Sequence, residues 1–89
     1  MKDQHLTELV SLFAHLKTPK RAQLFLRDIL TPHELAQLAE RWQIVKRLAS
    51  GMPQRKIKEE LGISIQRVTR GSKAFQSSRG GFRMFLSSD

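Results

Sequence analysis

Cysteine is absent from this 89-residue chain, which excludes disulfides and thiolate–metal sites. Histidine is scarce, and His5, His15 and His33 lie too far apart to offer an i, i+4 ligand pair, so no metal is expected. Apolar runs are short. None approaches the roughly 18 residues needed to cross a bilayer, and no membrane partner is expected. Met1-Lys2-Asp3-Gln4-His5 lacks the apolar core of a signal peptide, so the chain reads as a soluble, cytoplasmic protein. Catalytic signatures are missing too: no nucleophile–base–orienter set, no phosphate-cradling glycine loop and no clustered carboxylates, so an enzyme is not expected. A chain this small buries a modest fraction of its surface. Without a covalent or metal staple, oligomerisation is the expected source of extra stability.

Acidic residues are few, eight against sixteen Lys and Arg, and the imbalance is uneven. Residues 1–40 hold five of each sign. Residues 41–89 hold eleven Lys and Arg against Glu59, Glu60 and Asp89, so the whole net charge of +8 lies there. A field of one sign over half a domain attracts a polyanion, of which DNA is the commonest.

Helical periodicity dominates the chain, and strand alternation is nearly absent. Leu6, Leu9, Val10, Phe13 and Leu16 share one helical face. Thr18-Pro19 reads as an N-cap with proline at the first helical position. The helix it opens carries Ala22, Leu24, Phe25, Leu26, Ile29 and Leu30, apolar nearly all round, and needs cover on several sides. Thr31-Pro32-His33-Glu34 repeats the start signal as a capping box. The long helix that follows buries a stripe from Leu35 to Ala49, with Trp42 read as core, and Gly51 ends it. A shorter helix from about Pro53 to Leu61 buries Ile57 and Leu61. Ser64 caps the next, whose inward residues read as Ile65, Val68 and Phe75. Gly80-Gly81 then separates a C-terminal stub helix containing Phe82, Met84, Phe85 and Leu86.

The segment Gln54–Phe75 fits a helix-turn-helix, in which one helix braces a second in the major groove. Gly62 supplies the turn, because it takes a positive φ without a Cβ penalty. Removing the buried positions leaves Gln66, Arg67, Thr69, Arg70 and Lys73 on the outer face, with no acid among them. Arginine and glutamine are the side chains that make two-point contacts with guanine and adenine edges. Gln54, Arg55 and Lys58 on the bracing helix suit phosphates, as does the helix start at Ser64.

These residues also carry a family likeness. Gln54-Arg55, Glu60-Leu61-Gly62 and Val68-Thr69-Arg70-Gly71-Ser72 resemble the reading head of the Trp repressor family. Leu30-Thr31-Pro32 and Arg41-x-x-Ile44-Val45 extend the match over roughly residues 6–77. The resemblance implies an all-α, intertwined homodimer of about six helices, whose two reading heads meet a two-fold symmetric double-stranded DNA operator. Family DNA-contact positions fall on Gln54, Arg55, Lys58, Ser64, Ile65, Gln66, Arg67 and Thr69. Family effector positions fall on Leu30, Thr31, Arg41, Ile44, Arg70 and Gly71, where two arginines can sandwich an indole. L-tryptophan is therefore the one co-repressor the resemblance implies; no other cofactor is expected. Two departures stand out: Ala74 replaces a serine that holds the ligand's amino group, and Asp28 replaces an apolar pocket residue.

The expected organisation is a single domain over residues 1–89. Residues 1–50 form the dimerisation helices, 53–76 the helix-turn-helix and 80–89 the stub helix. The expected function is a sequence-specific transcriptional regulator, a repressor gated by a small effector. The alternative is an architectural or protein-interaction module that binds DNA independently of any ligand.

Overall fold

The computed structural model describes residues 2–86. Five α-helices run in order: α1 (Asp3–Ala14), α2 (Pro19–Ile29), α3 (Pro32–Ala49), α4 (Gln54–Leu61) and α5 (Ile65–Gln76). A short 3₁₀ turn, Arg83–Phe85, follows, and no strand occurs among the described residues. The all-helical class is as expected. The chain divides into two compact units, Met1–Ala36 and Gln37–Asp89, with the division inside α3 and not in the Ser50–Pro53 connection.

The helix starts follow their local chemistry. Thr18 Oγ1 accepts a hydrogen bond from the Arg21 amide at 3.1 Å, and Pro19 occupies the first turn. Thr31 and Glu34 form a complete capping box: the Thr31 amide donates to Glu34 Oε1 at 2.8 Å, and the Glu34 amide donates to Thr31 Oγ1 at 3.1 Å. Ser64 Oγ accepts from the Arg67 amide at 3.2 Å and so starts α5. Between α4 and α5, Gly62 sits in the left-handed region at φ 66° and ψ 39°. Its amide and that of Ile63 both donate to the Lys58 carbonyl, closing α4 and re-aiming the chain.

In the N-terminal unit, Phe13 and Phe25 meet edge to face, with ring centroids 5.5 Å apart. α1 stops at Ala14, short of Leu16. No described residue of this unit is buried, and Val10 and Leu24 are 57% and 58% exposed. Asp28 is also exposed, so its carboxylate carries no burial cost within this chain.

The C-terminal unit has a core. Ile44 from α3, Ile57 from α4 and Val68 from α5 form one buried cluster, with Leu48, Met52, Leu61 and Ile63 packed against it. Arg47 ties α3 to α4: its Nε donates to Glu60 Oε1 at 2.7 Å, while Nη1 donates to the Gln43 carbonyl and to Gln43 Oε1.

Four sequence expectations change here. On the expected buried stripe of α3, Leu38, Ala39 and Ala49 are exposed, and the fully buried residues of that helix are Ile44 and Val45. Ile65, read as inward, is 40% exposed, because the buried stripe of α5 is Val68, Gly71 and Ser72 with Phe75 half-buried. Trp42 is half-buried rather than core, packed against Phe82 and Phe85 with ring centroids 6.5 Å apart in each case. The stub is a single 3₁₀ turn and not an α-helix. Gly80, at φ 105°, breaks the chain direction just before it, and residues 87–89 lie outside the described residues.

Candidate nucleic-acid interface

The site begins with the core beneath it. Ile57 and Val68 are fully buried against Ile44, which fixes α4 and α5 against each other and turns the remaining face of α5 outward. A second brace is polar. Gln54 Nε2 donates to Ser72 Oγ at 3.2 Å, and Gln76 Nε2 donates to the same oxygen at 3.3 Å. Among the described residues no buried side-chain nitrogen or oxygen lacks a hydrogen-bond partner.

The residues expected on the outer face of α5 are brought together there. Gln66, Arg67, Thr69, Arg70 and Lys73 are all exposed, as are Ser64 and Ile65 at the helix start. Thr69 Oγ1 donates to the Ile65 carbonyl at 2.9 Å, so its hydroxyl lies back along its own helix. On α4, Arg55 and Lys58 are exposed, and so is Lys56, which the sequence reading passed over. Gln54 is placed differently. It is half-buried, and its amide is committed to Ser72 between the two helices.

The expected effector positions separate by role. Leu30 is the half-buried C-cap of α2, and Thr31 is occupied in the capping box of α3; both belong to the N-terminal unit. Within the C-terminal unit, Arg41 and Arg70 are exposed. Ile44 and Gly71 touch each other: a Cβ on Gly71 would lie 2.6 Å from Ile44 Cγ2. These two positions thus hold α3 and α5 at close approach.

Two features were missed in the sequence. Glu40 of α3 grips Arg67 side-on, with Arg67 Nε to Glu40 Oε2 at 3.0 Å and Nη2 to Oε1 at 2.6 Å. The pair is separated by 27 residues, and no local pattern announces it. The second is a groove of about 910 Å³ lined by Trp42, Ser78, Arg79, Gly81, Phe82 and Phe85. Its aromatic residues were visible in the sequence, but their convergence depends on the turn at Gly80-Gly81.

Among the described residues, no group of three or more His, Cys, Asp or Glu side chains is placed to hold a metal ion. None of the described helices is long and apolar enough to cross a membrane. The arrangement offers hydrogen-bond donors and positive charge on one rigid helix, which suits recognition of a polyanion with readable edges.

Comparison with known proteins gives the same direction. The family model described as Trp repressor protein matches residues 4–89. A Trp operon repressor homolog of Chlamydia caviae is 35% identical over 80 residues, covering 89% of this chain and 79% of the relative. One from Chlamydia trachomatis is 35% identical over 79 residues, covering 83% and 84%. One from Vibrio vulnificus is 36% identical over 66 residues, covering 73% and 65%. No solved structure matches the chain.

Proposed function

The chain belongs to the Trp repressor family, and from that premise we propose that it is a DNA-binding transcriptional repressor acting in the cytoplasm. The observation that carries this reading is the outer face of α5. Five exposed polar or cationic side chains, Gln66, Arg67, Thr69, Arg70 and Lys73, project from a helix whose opposite face is locked to α3 and α4. Gln66 and Arg67, near the N-terminal end that enters the groove, read base edges. Ser64 and Lys73, with Arg55 and Lys58 of α4, hold the phosphates and set the register. Thr69, whose hydroxyl donates to the Ile65 carbonyl, keeps its methyl group for apolar contact. Ile65, exposed at the helix start, suits apolar contact with a thymine methyl group. Gln54 contributes by fixing α4 to α5 through Ser72.

The same reading includes a homodimer on a two-fold symmetric operator. Its support is the apolar surface of the N-terminal unit, where Leu6, Val10, Leu12, Phe13, Leu24 and Ile29 are all exposed in the single chain. Sedimentation at micromolar concentration is expected to give a dimer; a monomer removes this part.

L-tryptophan is the co-repressor proposed from family membership. Arg41 and Arg70 are the exposed guanidinium groups available to stack on an indole. For gating, the ligand must bind the DNA-competent state better than the other state. Selection of bound sequences from a random DNA pool, with and without L-tryptophan, tests the whole reading. A palindromic motif that is enriched more strongly with tryptophan supports it. Uniform binding of every sequence, lost steeply with salt, identifies an architectural module instead.

A further inference from the structure

An acid beside the reading helix needs explanation, since a carboxylate near the groove repels phosphate. Glu40 is such a group, and it is not a loosely solvated one. Its side chain is 21% exposed, and both its oxygens are engaged by Arg67, whose own side chain is 49% exposed. The more enclosed partner is therefore the acid, and the arginine reaches outward from it.

The direction of the grip matters. A guanidinium carries five N–H donors in a rigid plane. Glu40 engages the Nε side, using Nε and one edge of Nη2. The terminal fork, formed by Nη1 and the outer edge of Nη2, stays open, and Nη1 has no hydrogen-bond partner among the described residues. That fork is the part of arginine that matches O6 and N7 of guanine. A guanidinium can thus hold a carboxylate along one side and a guanine at its end simultaneously.

We propose that Glu40 is a positioning residue for base readout: it fixes Arg67 with its terminal fork presented, so that the pair Glu40–Arg67 selects guanine at one position of each half-site. This rests on the reading of the chain as a sequence-specific DNA-binding protein. Two consequences follow from the chemistry. Holding the long Arg67 side chain before DNA arrives reduces the conformational freedom lost on binding. The negative charge of Glu40 also disfavours indiscriminate phosphate contact by Arg67, which sharpens the difference between a correct site and random DNA.

The test compares wild type, Glu40→Gln, Arg67→Ala and the double variant. Each is measured on the best site selected from a random pool, on that site with each guanine replaced in turn, and on random DNA. In wild type, replacing one particular guanine per half-site is expected to weaken binding about ten- to a hundredfold. Arg67→Ala abolishes that preference, Glu40→Gln reduces it about tenfold with other positions unchanged, and the double variant matches Arg67→Ala. Affinity of Glu40→Gln for random DNA is equal to or higher than that of wild type. A Glu40→Gln protein that keeps the full guanine preference, or that gains affinity equally on every sequence, overturns the proposal. If wild type itself shows no preferred sequence, the underlying reading fails and this inference falls with it. That result is distinguishable, because it appears before any variant is made.

Discussion

The two units of this chain solve the problem of small size differently. The C-terminal unit, Gln37–Asp89, buries Ile44, Val45, Ile57 and Val68 within one chain and includes nearly all the basic excess. The N-terminal unit, Met1–Ala36, buries no described residue, nearly balances its charges, and leaves Leu24 and Val10 more than half exposed. Apolar burial supplies the main driving force for folding, so one unit is built to hold a shape alone and the other to be covered. The helix proposed to read DNA, α5, belongs to the first kind. A reading surface must keep its geometry before its ligand arrives, whereas helices that only need cover can obtain it from a second copy.

The largest expected effect tests this contrast directly. Ile57→Ala removes a fully buried side chain from the three-helix cluster and should cost about 2–5 kcal/mol in urea unfolding. Leu24→Ala should cost below about 0.5 kcal/mol at concentrations where the chain is a monomer. At higher concentration it should lower stability through a weakened dimer. An Ile57→Ala protein as stable as wild type would break the comparison on one side. A large Leu24→Ala loss that ignores concentration would break it on the other.

Gly71 gives the next effect, and here the sign is the test. Alanine in mid-helix normally gains up to about 1 kcal/mol over glycine. At Gly71, however, a new Cβ would lie 2.6 Å from Ile44 Cγ2, on a side chain that is itself 99% covered and cannot swing away. Gly71→Ala should therefore destabilise by about 1–3 kcal/mol, read as a lower urea midpoint with unchanged slope. A stabilised variant would mean that α3 and α5 are free to separate.

That contact also shows what the sequence could reveal and what it could not. Signals written in neighbouring residues were legible: the caps at Thr18, Thr31 with Glu34 and Ser64, and the turn at Gly62. So was the exposed polar face of α5, because it follows from helical spacing alone. The buried stripe of α5 was misjudged because a search for apolar residues passes over Gly71 and Ser72. Close helix approach selects small residues there, and the stripe shifts off Ile65. The Glu40–Arg67 pair was illegible for another reason. It joins separate helices 27 residues apart, and no local pattern sets Glu40 off from the other acids in the neutral half of the chain.

Helix caps supply a smaller effect with one site in each unit. Thr18→Ala and Ser64→Ala each remove an acceptor for a first-turn amide, worth about 1 kcal/mol in either place. Equal intrinsic cost should appear unequally in function. Ser64→Ala frays the start of α5 and should weaken DNA binding, whereas Thr18→Ala should leave affinity unchanged for dimer already formed. Hydrogen exchange at the Arg67 and Arg21 amides locates the fraying; equal loss of DNA affinity in both variants would contradict the division of labour.

The smallest effect separates two ion pairs that look alike on paper. Arg47–Glu60 joins α3 to α4 and Arg67–Glu40 joins α3 to α5, and each pair includes a substantially exposed partner. Such pairs contribute about 0.2–1 kcal/mol to stability, so a double-mutant cycle on Arg47 and Glu60 should return a coupling in that range. Their remaining donors differ. Arg47 directs Nη1 back to the carbonyl and side chain of Gln43, so that group is committed within the protein. Arg67 keeps its terminal fork open. Glu60→Ala should accordingly leave base preference intact while Glu40→Gln alters it, although both remove one carboxylate from beside an arginine. If Glu60→Ala shifts base preference as much as Glu40→Gln does, the pairs act only through the tilt of the head, and no guanine-specific role belongs to Glu40.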